Sequence, residues 1–158
     1  FPGIEIIDEQ YGNWSVADAT DAMRAVVAAN DEIDAVWVGG LEMGVSVINV
    51  FQENGSEVPF IAGTNPINGF LRLAIENDVE FFGAPFPPGA SAICVDKVLS
   101  LLAGESMNKF IDVIDDLDIP PVLTLADAPE FYVDELNDDF VGPLVAPVDV
   151  YVAAGFGR

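Results

Sequence analysis

The residues of this chain best suited to chemistry fall into four short groups, each after an apolar run: Tyr11, Asn13 and Trp14; Gly39, Gly40 and Glu42; Thr64, Asn65 and Asn68; Phe82, Pro85 and Phe86. Amides and aromatics dominate, and Glu42 supplies the only charge in the four groups. Amides hydrogen-bond hydroxyls both as donors and as acceptors, and aromatic faces cover the C–H surface of a sugar ring. The set therefore suits a polyhydroxylated ligand without net charge. Asn13, Trp14, Gly40, Glu42, Asn65, Asn68, Phe82 and Phe86 are the candidate ligand-binding residues, with Trp14 the preferred aromatic contact. Structural roles compete for several of them. Asn65 before Pro66 is explained as well by capping a helix, Phe82 and Phe86 by packing over a sheet end, and Trp37, inside a strand, reads as core.

Other chemistry is excluded by what is missing. The sequence has no histidine, so neither Ser-His-Asp nor Cys-His nucleophile systems nor an imidazole-bearing zinc site can be assembled within it. Cys94 is the single cysteine, forms no internal disulfide, and reads as a small buried hydrophobe within the apolar stretch 90–102. No G-x-G-x-x-G, P-loop or EF-hand motif occurs. The acidic stretches 115–118 and 134–139 lack the alternating ligands and glycine of a calcium loop and read as solvated faces. No lysine or histidine falls in the four groups, so general bases other than Asp and Glu are absent there. A lyase or isomerase on this scaffold is thus disfavoured; no catalytic residue, metal ligand or cofactor is expected.

These groups need elements to hold them. Ile4-Glu5-Ile6-Ile7 predicts a short strand, and Ser15 with Asp18 three residues on is a capping-box pattern opening a helix over 17–30. The same unit recurs: strand 33–38, a Gly39-Gly40 turn and helix 41–54; strand 58–62, Asn65 as cap with Pro66 first in the next helix; strand 79–83, a proline-rich loop and helix 89–103. Four strand–helix units in succession predict an α/β fold, a parallel sheet with helices on both faces, since each parallel return needs a crossover. Ligands of such sheets bind beyond the carboxyl ends of the strands, where all four groups fall. From Phe110 the rhythm breaks into a β-like run 110–114, Pro120-Pro121, a second β-like run 122–125 and a short helix within 130–139. Residues 1–109 thus form the ligand-binding lobe, 110–139 a crossing and return segment, and 140–158 a tail.

The chain has 158 residues, enough for one good core, and 51% of them are hydrophobic. Lys+Arg number 5 and Asp+Glu 27, giving a net charge of −22, which excludes a nucleic-acid partner and disfavours an anionic membrane surface. Ordinary domains keep both signs on their surface, whereas a dense carboxylate surface is tolerable in brine, where the Debye length falls to about 3 Å at 1 M salt. A halophilic origin is the expectation. No apolar run approaches the roughly 18 residues of a membrane span. The start at Phe1-Pro2-Gly3 suggests a processed chain or a piece of a longer one.

Read together, Phe1-Pro2-Gly3-Ile4-Glu5-Ile6, Tyr11-Gly12-Asn13-Trp14, Asn30-Asp31-Glu32-Ile33-Asp34-Ala35-Val36-Trp37, Asn54-Gly55 and Leu101-Leu102-Ala103-Gly104-Glu105 carry a resemblance. Over about residues 1–135 the chain resembles the C-terminal half of a type I periplasmic sugar-binding protein, the ribose-like substrate-binding family of ABC importers. The resemblance implies a two-lobe protein of which this chain is one lobe, its partners being a sugar-like small molecule, the missing N-terminal lobe and an ABC permease. It also implies an extracytoplasmic location and binding without catalysis. The family's habitual Asn-Asp falls on Gly40-Leu41, its habitual Asp on Asn65 and its habitual Gln near Gly83. The ligand is thereby left open between a sugar other than ribose and a non-sugar. The alternative reading is the effector-binding domain of a lactose-repressor-type regulator, which uses the same two-lobe fold; a helix-turn-helix upstream would mark the regulator, a signal peptide or lipid anchor the importer.

Overall fold

The structure is a computed structural model and describes residues 3–86, 88, 90–110, 119–142, 144 and 146–158. The β-like run at 110–114 and the acidic stretch 115–118 lie largely outside the described residues. The elements, in chain order, are α1 (Val16–Ala29), β1 (Ala35–Trp37), α2 (Leu41–Glu53), β2 (Phe60–Thr64), α3 (Asn68–Asn77), β3 (Phe81–Ala84), α4 (Ala90–Leu102), α5 (Ala128–Phe131) and α6 (Val148–Tyr151), which runs into a π-helical turn at Val152–Phe156. The three strands form a parallel sheet in the order β1-β2-β3, with Trp37 beside Ala62 and Ala62 beside Phe82.

Side-chain alternation divides the sheet into two unlike faces. Val36, Ile61 and Phe81 point into a core completed by Leu41, Val47, Ile48 and Phe51 of α2 and by Phe70, Leu71 and Ala74 of α3, with Met23 of α1 behind α2. Gly63 and Gly83 complete that face, and Leu41 occupies the space their missing side chains leave. The opposite face carries Trp37, Phe60, Ala62 and Phe82, with Phe60 and Phe82 edge-on at 5.0 Å between ring centres. Here Trp37 is 76% and Phe82 54% exposed, so Trp37 is not the core residue its strand position predicts. Parallel sheets are ordinarily covered on both faces; among the described residues, helices cover the first face, and Trp37 and Phe82 lie exposed on the second.

Helix termini follow the sequence signals closely where local chemistry sets them. Ser15 caps α1 by accepting from the Asp18 amide at 3.3 Å, and Asp18 turns its carboxylate to Asn13 Nδ2 at 3.0 Å instead of back to the cap. Gly55 and Gly104, both at positive φ, end α2 and α4. Four expectations are corrected. The 4–7 run forms no strand: Ile4, Ile6 and Ile7 are exposed and make no sheet pairing. α3 begins at Asn68, capped by Ile67, because Asn65 adopts a positive φ of 48° and leaves Pro66 outside the helix. The helix expected within 130–139 is confined to Ala128–Phe131, since the backbone beyond it bonds to the start of α3. Cys94 is exposed on α4, as are Val95, Val98, Leu99, Leu101 and Leu102, so it is not a buried hydrophobe.

Candidate functional site

At the carboxyl ends of the strands the loops are stitched into one surface. Val38 N donates to Ala62 O at 2.8 Å, carrying the β1–β2 ladder past the end of β1, and the Thr64 hydroxyl donates to Gly39 O. Asn65 N donates to Ala84 O at 3.0 Å, and its side-chain Oδ1 accepts from Phe86 N at 2.7 Å. The amide thus ties the loop after β2 to the loop after β3. This accounts for the left-handed backbone of Asn65, a conformation asparagine tolerates better than most residues.

The third wall comes from the segment before α1. Asn13 and Trp14 both have positive φ, 51° and 54°, and the turn they make is closed by Ser15 N donating to Gly12 O at 2.9 Å. That turn lays the Trp14 indole against Gly39. A Cβ on Gly39 would stand 3.5 Å from Trp14 Cη2. Trp14 nonetheless remains 66% exposed. Glu42, on the first turn of α2, folds its partly buried carboxylate over Gly40, where any side chain would collide with it. Gly40, Glu42, Trp14, Asn65 and Phe86 are thereby brought to one end of the sheet, with Asn13 at its rim.

Two candidates are placed otherwise. Phe82 projects from mid-strand onto the uncovered sheet face, against Phe60. Asn68 is 2% exposed, and both ends of its carboxamide are engaged: Nδ2 donates to Val133 O at 2.8 Å and to Leu136 O at 3.0 Å, and Oδ1 accepts from Val133 N at 2.9 Å. The first amides of α3 are answered the same way, Asn68 N by Phe140 O at 2.7 Å and Gly69 N by Asp138 O at 2.8 Å. Residues 133–140 therefore form a strap across the start of α3.

Sequence reasoning missed this strap and its fastening. Arg72 Nη2 bonds Asp138 Oδ2 at 2.8 Å and Arg158 Nη2 bonds Asp138 Oδ1 at 3.1 Å, while Arg158 also reaches Asp134 at 3.0 Å. The Arg72 hydrogen bond, ahead of any desolvation, holds the Asp138 carboxyl below the usual carboxylate range. Asp127 is lowered likewise, by hydrogen bonds from the Thr124 hydroxyl and amide, a turn that leads into α5. Just before it, Leu123 pairs antiparallel with Gly83 through two 2.8 Å bonds, closing the outer edge of β3. Among the described residues no cluster of His, Cys, Asp or Glu is arranged to hold a metal ion. No helix among the described residues is long and apolar enough to cross a membrane.

The chain is thus an α/β lobe whose strand-end loops converge on aromatic and amide side chains. Residues 1–106 match the periplasmic binding protein domain, and the chain belongs to that family. It is 31% identical, over 113 residues, to a Rhizobium meliloti protein provisionally described as a rhizopine-binding protein; the match takes in 69% of this chain and 36% of that one. Among solved structures, the binding component of the arabinose ABC transporter from Shewanella sp. ANA-3, determined with arabinofuranose, superposes with a TM-score of 0.67 at 19% identity, covering 82% of this chain and 43% of that one. An ABC transporter solute-binding protein from Mycobacterium smegmatis with bound glycerol gives 0.68 at 18% identity, covering 90% and 47%. The chain thus spans between about a third and a half of these relatives' length, and its fold is that of a single lobe.

Proposed function

We propose that this lobe binds a sugar-like solute, without chemistry, as one wall of a two-lobe cleft in an extracytoplasmic binding protein serving an ABC importer. The observation that carries the reading is the stitched surface itself: three loops fixed to one another by backbone and Asn65 bonds present Trp14, Glu42 and Phe86 to one side. Such a surface orients hydroxyls and covers a ring face. It holds no nucleophile–base pair that would act on the ligand. Relatives with the same lobe were determined with arabinofuranose, D-allose and glycerol, which supports a polyhydroxylated ligand. In this reading a second lobe closes over the ligand, and tighter binding in the closed state drives the closure.

The test is a titration of the 158-residue chain with sugars and polyols, followed by amide NMR. Binding of one lobe should be weak and fast, and should move the resonances of Gly39, Gly40, Asn65 and the Trp14 indole. Shifts confined to other regions, or none with any compound in the panel, would overturn the assignment of the cleft.

A further inference from the structure

Resting on that reading of the cleft, we propose that the strap is part of the binding machinery: Asn68, Arg72, Asp138 and Arg158 are positioning residues that hold the loop after β2, and with it Asn65, in the geometry that receives the solute. The strap lies beyond residues 1–106, the part of the chain that matches the family. Asn65 fixes its loop on one side, through Ala84 O and Phe86 N. The strap fixes it on the other. Ile67 pairs antiparallel with Val141, and the next two amides, of Asn68 and Gly69, donate to Phe140 O and Asp138 O. Ile67 offers α3 no side-chain cap, so these carbonyls are what the first turn of the helix bonds to. Asn65 holds a positive φ of 48°. Such a backbone persists only where its surroundings over-determine it, and the strap supplies the constraint from the α3 side.

The start of α3 is shaped for this contact. A Cβ on Gly69 would lie 2.7 Å from Asp138 Cβ and 3.1 Å from Asp138 O, so the strap seats where a side chain is missing. One turn on, Arg72 reaches one oxygen of the Asp138 carboxylate at 2.8 Å, and Arg158 reaches the other at 3.1 Å. Arg158 is itself laid beside the strap by backbone bonds, its amide donating to Glu135 O at 3.2 Å while Asn137 N donates to Phe156 O at 2.8 Å. Arg158 is thereby linked, through the strap and the start of α3, to the loop that carries Asn65. A loop fixed before the solute arrives has less freedom to lose on binding, and affinity gains by that amount. The wall of Trp14 and Gly39 rests instead on the turn at 12–15.

The experiment compares Arg72→Met, Arg158→Met and Gly69→Ala in the 158-residue chain. Gly69→Ala separates positioning from helix stability, since alanine favours the helix while its Cβ lifts the strap. In the free chain, amide hydrogen exchange should accelerate in each variant at Asn68 and Gly69, and also at Asn65 and Phe86, whose own bonds no substitution removes. The Ser15 and Val38 amides should be unchanged. Titrated with L-arabinose, D-allose and glycerol and followed by amide NMR, the variants should bind about fivefold more weakly than the unsubstituted chain, and Arg72→Lys should recover part of the loss. Acceleration confined to Asn68 and Gly69, or an unchanged affinity in all three variants, would overturn the positioning role while leaving the solute-binding reading intact. If none of the three compounds binds the unsubstituted chain, the solute-binding reading falls, and exchange at Asn65 and Phe86 still decides whether the strap holds the loop.

Discussion

The carboxamide of Asn68 makes three hydrogen bonds to the strap from a nearly sealed position, and losing it takes the partner from the Val133 amide and the Leu136 carbonyl and leaves Val133 O only the Leu136 amide. Each buried group so stranded costs about 1–3 kcal/mol, so Asn68→Ala should lower the unfolding free energy by about 2–4 kcal/mol in a urea titration. A loss under about 0.5 kcal/mol would return Asn68 to the ligand surface and refute its structural role. The strap's other fastening depends on pH. Asp138 has its carboxyl lowered by the Arg72 hydrogen bond, so it is more acidic folded than unfolded. Its contribution is complete above the unfolded value and is lost as pH falls through the folded one, below about pH 4. Hydrogen exchange of the Asn68 and Gly69 amides should accelerate in that window, and Asp138→Asn should make exchange fast already at neutral pH, leaving little acid dependence.

Between elements, the close approach of α2 and α3 turns on Gly44. A Cβ there would lie 2.8 Å from Cε2 of Phe70, a fully buried ring held edge-on to Phe81 at 5.0 Å. Alanine would gain about 1 kcal/mol of helix propensity, but crowding a packed core costs about 1–3 kcal/mol. Gly44→Ala should therefore be slightly destabilising and Gly44→Val clearly so, read as a falling urea midpoint; a stabilised Gly44→Val would mean the two helices are free to separate. This contact also shows how far the sequence reaches. Helix periodicity and caps are local, so α1, α2 and α4 were legible to within a residue or so. The parallel strands were legible as apolar runs: β1 lies inside its run, while β2 and β3 extend one or two residues later than theirs, where Gly63 serves the sheet by making room for Leu41 and not as a turn. Loop partners were not legible. Nothing in the spacing ties Asn65 to Phe86 or Asn68 to Val133, 65 residues away, because a carboxamide's partner is fixed by the packed fold. The 4–7 run reads as a strand on composition alone, but a strand also needs a neighbour it pairs with, and the run pairs with none of the described strands.

For the whole molecule two features pull against each other: a net charge of −22 and an uncovered apolar sheet face continuous through Trp37, Ala62 and Phe82. Arg24, Arg72 and Arg158 are fixed in ion pairs with carboxylates, so the excess negative charge is spread over exposed Asp and Glu, where folding concentrates it and the unfolded chain dilutes it. Raising KCl from near zero to molar levels shortens the Debye length from tens of ångströms to about 3 Å and removes most of that repulsion. The thermal midpoint should therefore rise with salt, by several degrees if screening recovers even about 1 kcal/mol in a domain of this size. Salt also strengthens burial of apolar surface, and association through the open sheet face would raise the midpoint too. Sedimentation at matched salt separates the causes, as does Trp37→Thr, which weakens that face without altering charge. If screening dominates, the midpoint rises equally in the variant and the chain stays monomeric. A rise confined to the unsubstituted chain and accompanied by dimers would assign the effect to the sheet face. A flat midpoint in both would show that the carboxylates are accommodated where they sit, and the inference of a brine-adapted protein would fall with it.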